Sequence, residues 1–213
     1  MTRTSHILGV CLSAGSLLAP LSAGAQALGS LRPRIGILAT HSLQADGLGT
    51  DFGVSLGIGS RVGRKSRIGI EAGYLRLGSQ DEVRPYLTPP PALEPATLTT
   101  NASRRLLFFG ANLEQGLGSR GVRPVLLAGL GAYGFRANYS AIGRDTTGGV
   151  FLRRKEGGWH WGPGVSAGLG LAFPGSVGPF APAFEGRVHV SAIKTEESWT
   201  TLETLSVGIS LGW

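Results

Sequence analysis

The chain has 213 residues, a length for one domain, and 35 of them are glycine; 20 basic against 13 acidic residues give a formal charge of +7. The single cysteine, Cys11, lies near the N-terminus in a leader-like segment, so the remainder is thiol-free, which rules out disulfides, thiolate zinc sites and cysteine nucleophiles. The basic residues are scattered instead of gathered on one helix, which argues against a nucleic-acid partner, and the glycines show neither the collagen period nor the low hydrophobicity of a disordered linker.

Residues 1–27 read as a cleaved signal peptide. Arg3 and His6 form a short polar start, Ile7 to Leu21 an apolar stretch, and Ala25-Gln26-Ala27 a small-x-small cleavage site. The apolar stretch falls short of the ~20 residues of a spanning helix, and no stop-transfer pattern follows. Leu8-Gly9-Val10 before Cys11 is a poor match to the lipoprotein pattern, in which a small residue directly precedes the cysteine. Cleavage after Ala27 leaves 28–213 as one domain and removes one positive charge with Arg3.

Beyond the leader, hydrophobicity alternates with period two, the signature of strands. In "DFGVSLGIGSRV", Phe52, Val54, Leu56 and Ile58 oppose Gly53, Ser55, Gly57 and Gly59. In "RIGIEAGYLRL", Ile68, Ile70, Ala72 and Tyr74 oppose Arg67, Gly69, Glu71 and Gly73. The longest near-apolar run, Pro124 to Phe135, contains three glycines and is poor helix material. "WHWGPGVSAGLGLAF" and the final "LSVGISLGW" alternate again. Eight strands result, at about 33–42, 50–62, 66–77, 102–115, 122–137, 159–173, 179–191 and 201–213. The fifth has an open register, because Leu126 and Leu127 are both apolar.

Short and long connections alternate: "GRKS", "GLGSRG" and "PGSVG" are tight, whereas residues 78–101, 138–158 and 192–200 are long. A meander with two unlike ends predicts an all-β fold, an eight-stranded antiparallel up-and-down transmembrane β-barrel with short periplasmic turns and longer outer loops. Closure removes exposed sheet edges and pairs every backbone group, as hydrocarbon requires. Periodicity does not say which face points outward, and a soluble lipocalin-like binding barrel shows the same alternation. Two features favour lipid outside. Glu71, Glu114, Glu185, Arg187 and His189 share the small-residue face, where they would form a lumenal polar network. Trp159, Trp161, Trp199 and Trp213 fall at or near strand ends, where an interfacial aromatic girdle would sit.

The last strand, with Gly208, Leu211 and the terminal Trp213, resembles the carboxy-terminal signature of bacterial outer-membrane barrels. "RPVLLAGLGAYGF" and "GPFAPAFEGRVHV" are similar to strands of the small eight-stranded OmpA/OmpX-type barrels, and the likeness covers the whole mature chain. The resemblance implies residence in a Gram-negative-type outer membrane. It also implies assembly by periplasmic chaperones and barrel insertion machinery that read Gly208, Leu211 and Trp213 as a signal. The implied partners are outer-membrane lipids and lipopolysaccharide, and the implied role is non-enzymatic, structural or surface-interacting. An eight-stranded barrel is normally filled by side chains, so a general porin is not expected.

Motifs that could carry chemistry are few. Gly129 to Gly134 matches G-x-G-x-x-G, but "FRANYS" follows where a phosphate-facing helix should begin, so no nucleotide cofactor is expected. His41, His160 and His189 show no metal spacing. "RRKE", Arg153 to Glu156, lies in an outer loop, where it would be solvated or grip lipopolysaccharide phosphates. The alternative enzymatic reading takes His189, Ser191 and Glu203 as base, nucleophile and orienting acid. Their spacing is similar to that of outer-membrane lipid A deacylases. Ala192 stands where those enzymes have asparagine, and His189 shares the face of Glu185 and Arg187.

Overall fold

The computed structural model describes residues 31–43, 50–88, 94–118, 121–173, 181–194 and 198–212. The leader, the triple proline at 89–91 and Trp213 lie outside the described residues. The strands are β1 (Arg32–Ser42), β2 (Asp51–Arg61), β3 (Ser66–Leu87), β4 (Pro95–Gly116), β5 (Arg123–Asp145), β6 (Val150–Glu156), β7 (Trp159–Ala172), β8 (Ala181–Lys194) and β9 (Trp199–Gly212). Every pairing is antiparallel, and β1 pairs with both β2 and β9, so the sheet closes on itself. Among the described residues no helix is long and apolar enough to cross a membrane.

Eight strands form the ring, and β6 stands outside it. The first part of β5, Arg123 to Arg136, pairs with β7, while Tyr139 to Arg144 pairs with β6. Together β3, β4, β5 and β6 carry the sheet past the rim at the long-connection end. Segments expected as loop, 78–87, 95–101, 138–145 and 150–156, are therefore strand. The physical reason is solvation: apart from a few small buried residues such as Ala96 and Ala141, side chains on either face of this extension meet water, so little apolar and polar alternation is left to detect. Between barrel wall and extension, the β3–β4 register shifts between Arg76 and Ser79, and Gly78 takes a positive φ of 94° there, a conformation open to glycine in a bulge.

The barrel wall is apolar outward. Ile37, Leu56, Ile70, Leu130, Val165, Leu169 and Ile209 are exposed, with Ile37 at 69% and Leu169 at 66%. On β5, Leu126 faces out and Leu127 is buried beside Val125 and Ala172, which settles the register that sequence left open. Glycine at Gly208 lets β9 lie close on β1: an added Cβ there would clash with the Ile37 carbonyl oxygen. Inside, Ser55, Ser166, Ser206 and Ser210 line the wall, and larger side chains fill the centre in layers.

Candidate functional site

The lower lumen, toward the short-turn end, holds a chain of alternating charges. Arg67 on β3 pairs with Glu114 on β4 at 3.1 Å, and the other oxygen of Glu114 lies 3.8 Å from Arg34 on β1. Arg34 donates through Nη2 to Glu185 on β8 and to the Ser210 hydroxyl at 3.0 Å. Glu185 Oε2 also accepts from Arg187 at 3.0 Å, and Arg187 donates through Nη1 to Glu71 Oε2 at 2.7 Å. Asn112 closes the chain by donating to Glu71 Oε2 at 2.9 Å. Three arginines thus face three glutamates, so the group is neutral as a whole. Each strand supplies its member through the inward parity of its own pleat. Neutrality and dense hydrogen bonding are what let formal charges sit in a narrow interior.

Above this layer lies His189. Its Nε2 is 3.1 Å from the Ser206 hydroxyl and its Nδ1 is 3.3 Å from the Tyr133 hydroxyl, while the Phe108 ring centroid is 5.2 Å away. Higher still, Leu38, Leu75, Leu77, Leu106, Ile193 and Leu202 form an apolar plug with Phe108 and Tyr133, against which Phe135 packs. The lumen is thus closed twice, by ions below and by hydrocarbon above.

All five residues expected as a lumenal network, Glu71, Glu114, Glu185, Arg187 and His189, point inward. Sequence reading missed Arg34, Arg67 and Asn112 as members of the same chain. For Arg34 a signal existed: it shares parity with Gly36, opposite Ile35 and Ile37. Nor does sequence reading anticipate the apolar plug, whose leucines come from β1, β3, β4 and β9 and meet only across the lumen.

The proposed hydrolase group is not assembled. His189 and Ser191 are inward and buried, but Glu203 is directly opposite Val190 and takes the outward parity of Leu205 and Val207. A one-residue offset on an alternating strand puts a side chain on the other face of the sheet. The histidine's described partners are Tyr133 and Ser206, not Ser191 or Glu203. Of the residues tied to an assembly signal, Gly208 and Leu211 lie on β9, Leu211 facing outward. Among the described residues no cluster of histidine, cysteine or carboxylate side chains could hold a metal.

On the exterior, Trp159 and Trp161 begin β7 and Trp199 begins β9, all exposed at the long-connection rim. The two β7 rings lie 6.3 Å apart. They stand where an apolar wall gives way to polar side chains, the place amphipathic indoles favour.

Comparison of sequences finds no matching family model and no similar curated protein. Comparison of structures does find likeness. The crystal structure of neisserial surface protein A superposes with a TM-score of 0.53 at 11% identity, covering 85% of this chain and 95% of that one. A major outer membrane protein from Thermus thermophilus gives a TM-score of 0.50 at 10% identity, covering 86% of this chain and 98% of that one. At such identities the likeness is one of architecture, and it spans nearly the whole of both neighbours. The closed ring, the outward apolar wall and these superpositions together establish that the chain has the fold of the small outer-membrane β-barrels.

Proposed function

We propose that the protein is an integral outer-membrane barrel with a structural or surface-interaction role in the cell envelope, and not an enzyme. The observation that carries this reading is the orientation of the wall. Exposed Ile, Leu, Val and Phe side chains ring the barrel while six charged residues are sequestered within. In water a continuous apolar band of this size would drive aggregation, whereas in hydrocarbon it is the stable arrangement. A lipocalin-like binding barrel requires the opposite orientation around an internal hollow, and this lumen is filled. The role therefore falls to the outer surface and to the sheet extension of β3 to β6.

In this reading residues 1–27 direct export and are removed, periplasmic chaperones and the insertion machinery deliver the chain, and Gly208, Leu211 and Trp213 contribute to its recognition. Lipids and lipopolysaccharide surround the wall. The test is to refold the mature chain in detergent and follow circular dichroism and gel mobility with and without boiling. A β-rich spectrum, heat-modifiable migration and recovery in the outer-membrane fraction of expressing cells are expected. A monomer that stays soluble without detergent overturns the proposal. Separately, lipid A incubated with wild type or with Ser191→Ala should release no fatty acid in either case, and release by wild type alone would restore the esterase reading.

A further inference from the structure

One feature of the outer wall is electrostatically costly as it stands. Arg76 on β3 is directly opposite Arg105 on β4, and Arg105 is directly opposite Arg136 on β5. Parity puts all three on the exterior, on the rim-side turn of the apolar wall: Arg105 is followed outward-facing by Leu107 and Phe109, and Arg136 is directly opposite Trp159. Cβ atoms of directly opposed residues lie about 5 Å apart, and like charges so placed repel. Three local contacts soften the ends of the row. Arg76 pairs with Asp51 at 3.2 Å and lies over the Phe52 ring at 5.1 Å, and Arg136 donates to Asn138 at 2.8 Å. Asp51 neutralises one of the three charges. The next acid up the same face, Asp81, is engaged by Asn101. Further out on that face, Arg153 is opposite Ile142 and Lys155 is opposite Ser140, so the positive field continues into the extension.

The geometry points to this arginine row as a binding site for the phosphate groups of a phosphorylated lipid headgroup in the outer leaflet. The inference rests on the outer-membrane reading above. Guanidinium forks match phosphate oxygens in paired hydrogen bonds, and a row about 10 Å long suits a headgroup with two phosphates better than a single anion. Position selects the lipid as the source. Acyl chains anchored on Leu107, Phe109 and Trp161 place the headgroup at the height of the row, and the indoles mark the same boundary.

The test uses the full mature chain folded in zwitterionic detergent, with heat-modifiable migration confirmed for each variant. Binding is measured to diphosphoryl lipid A, to the same lipid after phosphatase treatment, and to soluble tripolyphosphate. Wild type is expected to bind the diphosphoryl lipid and to lose about tenfold on dephosphorylation. Arg105→Gln should weaken binding about tenfold and Arg76→Gln with Arg136→Gln further, since each lost charged hydrogen bond is worth about that factor. Arg105→Lys should fold and retain part of the affinity, and Arg64→Gln on the opposite turn should change nothing. Equal affinity of wild type and the row variants, or no effect of dephosphorylation, overturns the site. Tripolyphosphate binding as tight as the lipid overturns the lipid as its ligand. Failure of wild type to fold as a heat-modifiable barrel refutes the outer-membrane reading instead, so the two failures are distinguishable.

Discussion

Arg187 sits between two acids of the interior charge chain, bonding Glu71 and Glu185 at once. Removing one partner from a buried, satisfied pair typically costs ~3–5 kcal/mol, because the remaining charge is left uncompensated. Arg187→Met should therefore lower the unfolding free energy extrapolated from urea titration of the heat-modifiable fraction by an amount in that range. Adding Glu71→Gln to it removes the orphaned carboxylate while Arg34 still satisfies Glu185, so the double variant should be more stable than Arg187→Met alone. A double variant less stable than the single would show that the alternating chain is not what holds these groups. Gly208 offers a second residue test. Its closeness to the Ile37 carbonyl is a packing demand, so Gly208→Ala should refold poorly in detergent with no cellular machinery present. Normal refolding in vitro with failure in cells would instead make it purely a signal. Residues of this kind were partly legible in sequence: charged residues on a glycine and serine face announce a lumen. Their pairing was not, because Arg34 and Glu185 are 151 positions apart and meet only through barrel closure.

At the scale of elements, strand existence could be read wherever one face is the apolar outer wall and the other lines the lumen, as on β2 and β7. Where both faces meet water, as at Asp81 to Leu87, the alternation vanishes and the strand hides. The β5–β6 hairpin tip shows how such an element is held without burial. Asp145 Oδ1 accepts from the Thr147 hydroxyl at 2.7 Å, the Gly149 amide at 2.7 Å and the Thr147 amide at 2.9 Å. The Thr147 hydroxyl first, and then these amides, hold the Asp145 carboxyl below the usual carboxylate range. A depressed value means that the turn gains its support above the ordinary aspartate pKa and loses it as pH falls through the lower, folded-state one. Protection factors at Thr147 and Gly149, exchange taken relative to the intrinsic rate at each pH, should therefore hold through pH 5 and fall only below about pH 4. Asp145→Asn should make the protection low and independent of pH, and a titration of protection near neutrality would contradict the capped turn.

The whole molecule is two seals in series, an ionic layer and an apolar plug, within one wall. Wild type should show no steady conductance in planar bilayers, since side chains occupy the bore at both levels. Trimming the plug alone, with Leu106→Ala and Ile193→Ala, should leave the bilayer quiet because the ion chain still blocks the path. Steady current from the plug variant would show that the charges below are loosely placed. Before any coordinates, alternation, glycine content and unequal connections sufficed for an all-β meander that must close, because each is a local consequence of a pleat with one fatty and one small face. Tertiary structure alone assigned Leu126 outward and Leu127 inward, separated Glu203 from His189, and aligned Arg76, Arg105 and Arg136 in one row. The reason is register: which residue of one strand stands beside which of the next depends on shear and bulges summed around the closed sheet, and no single strand encodes it.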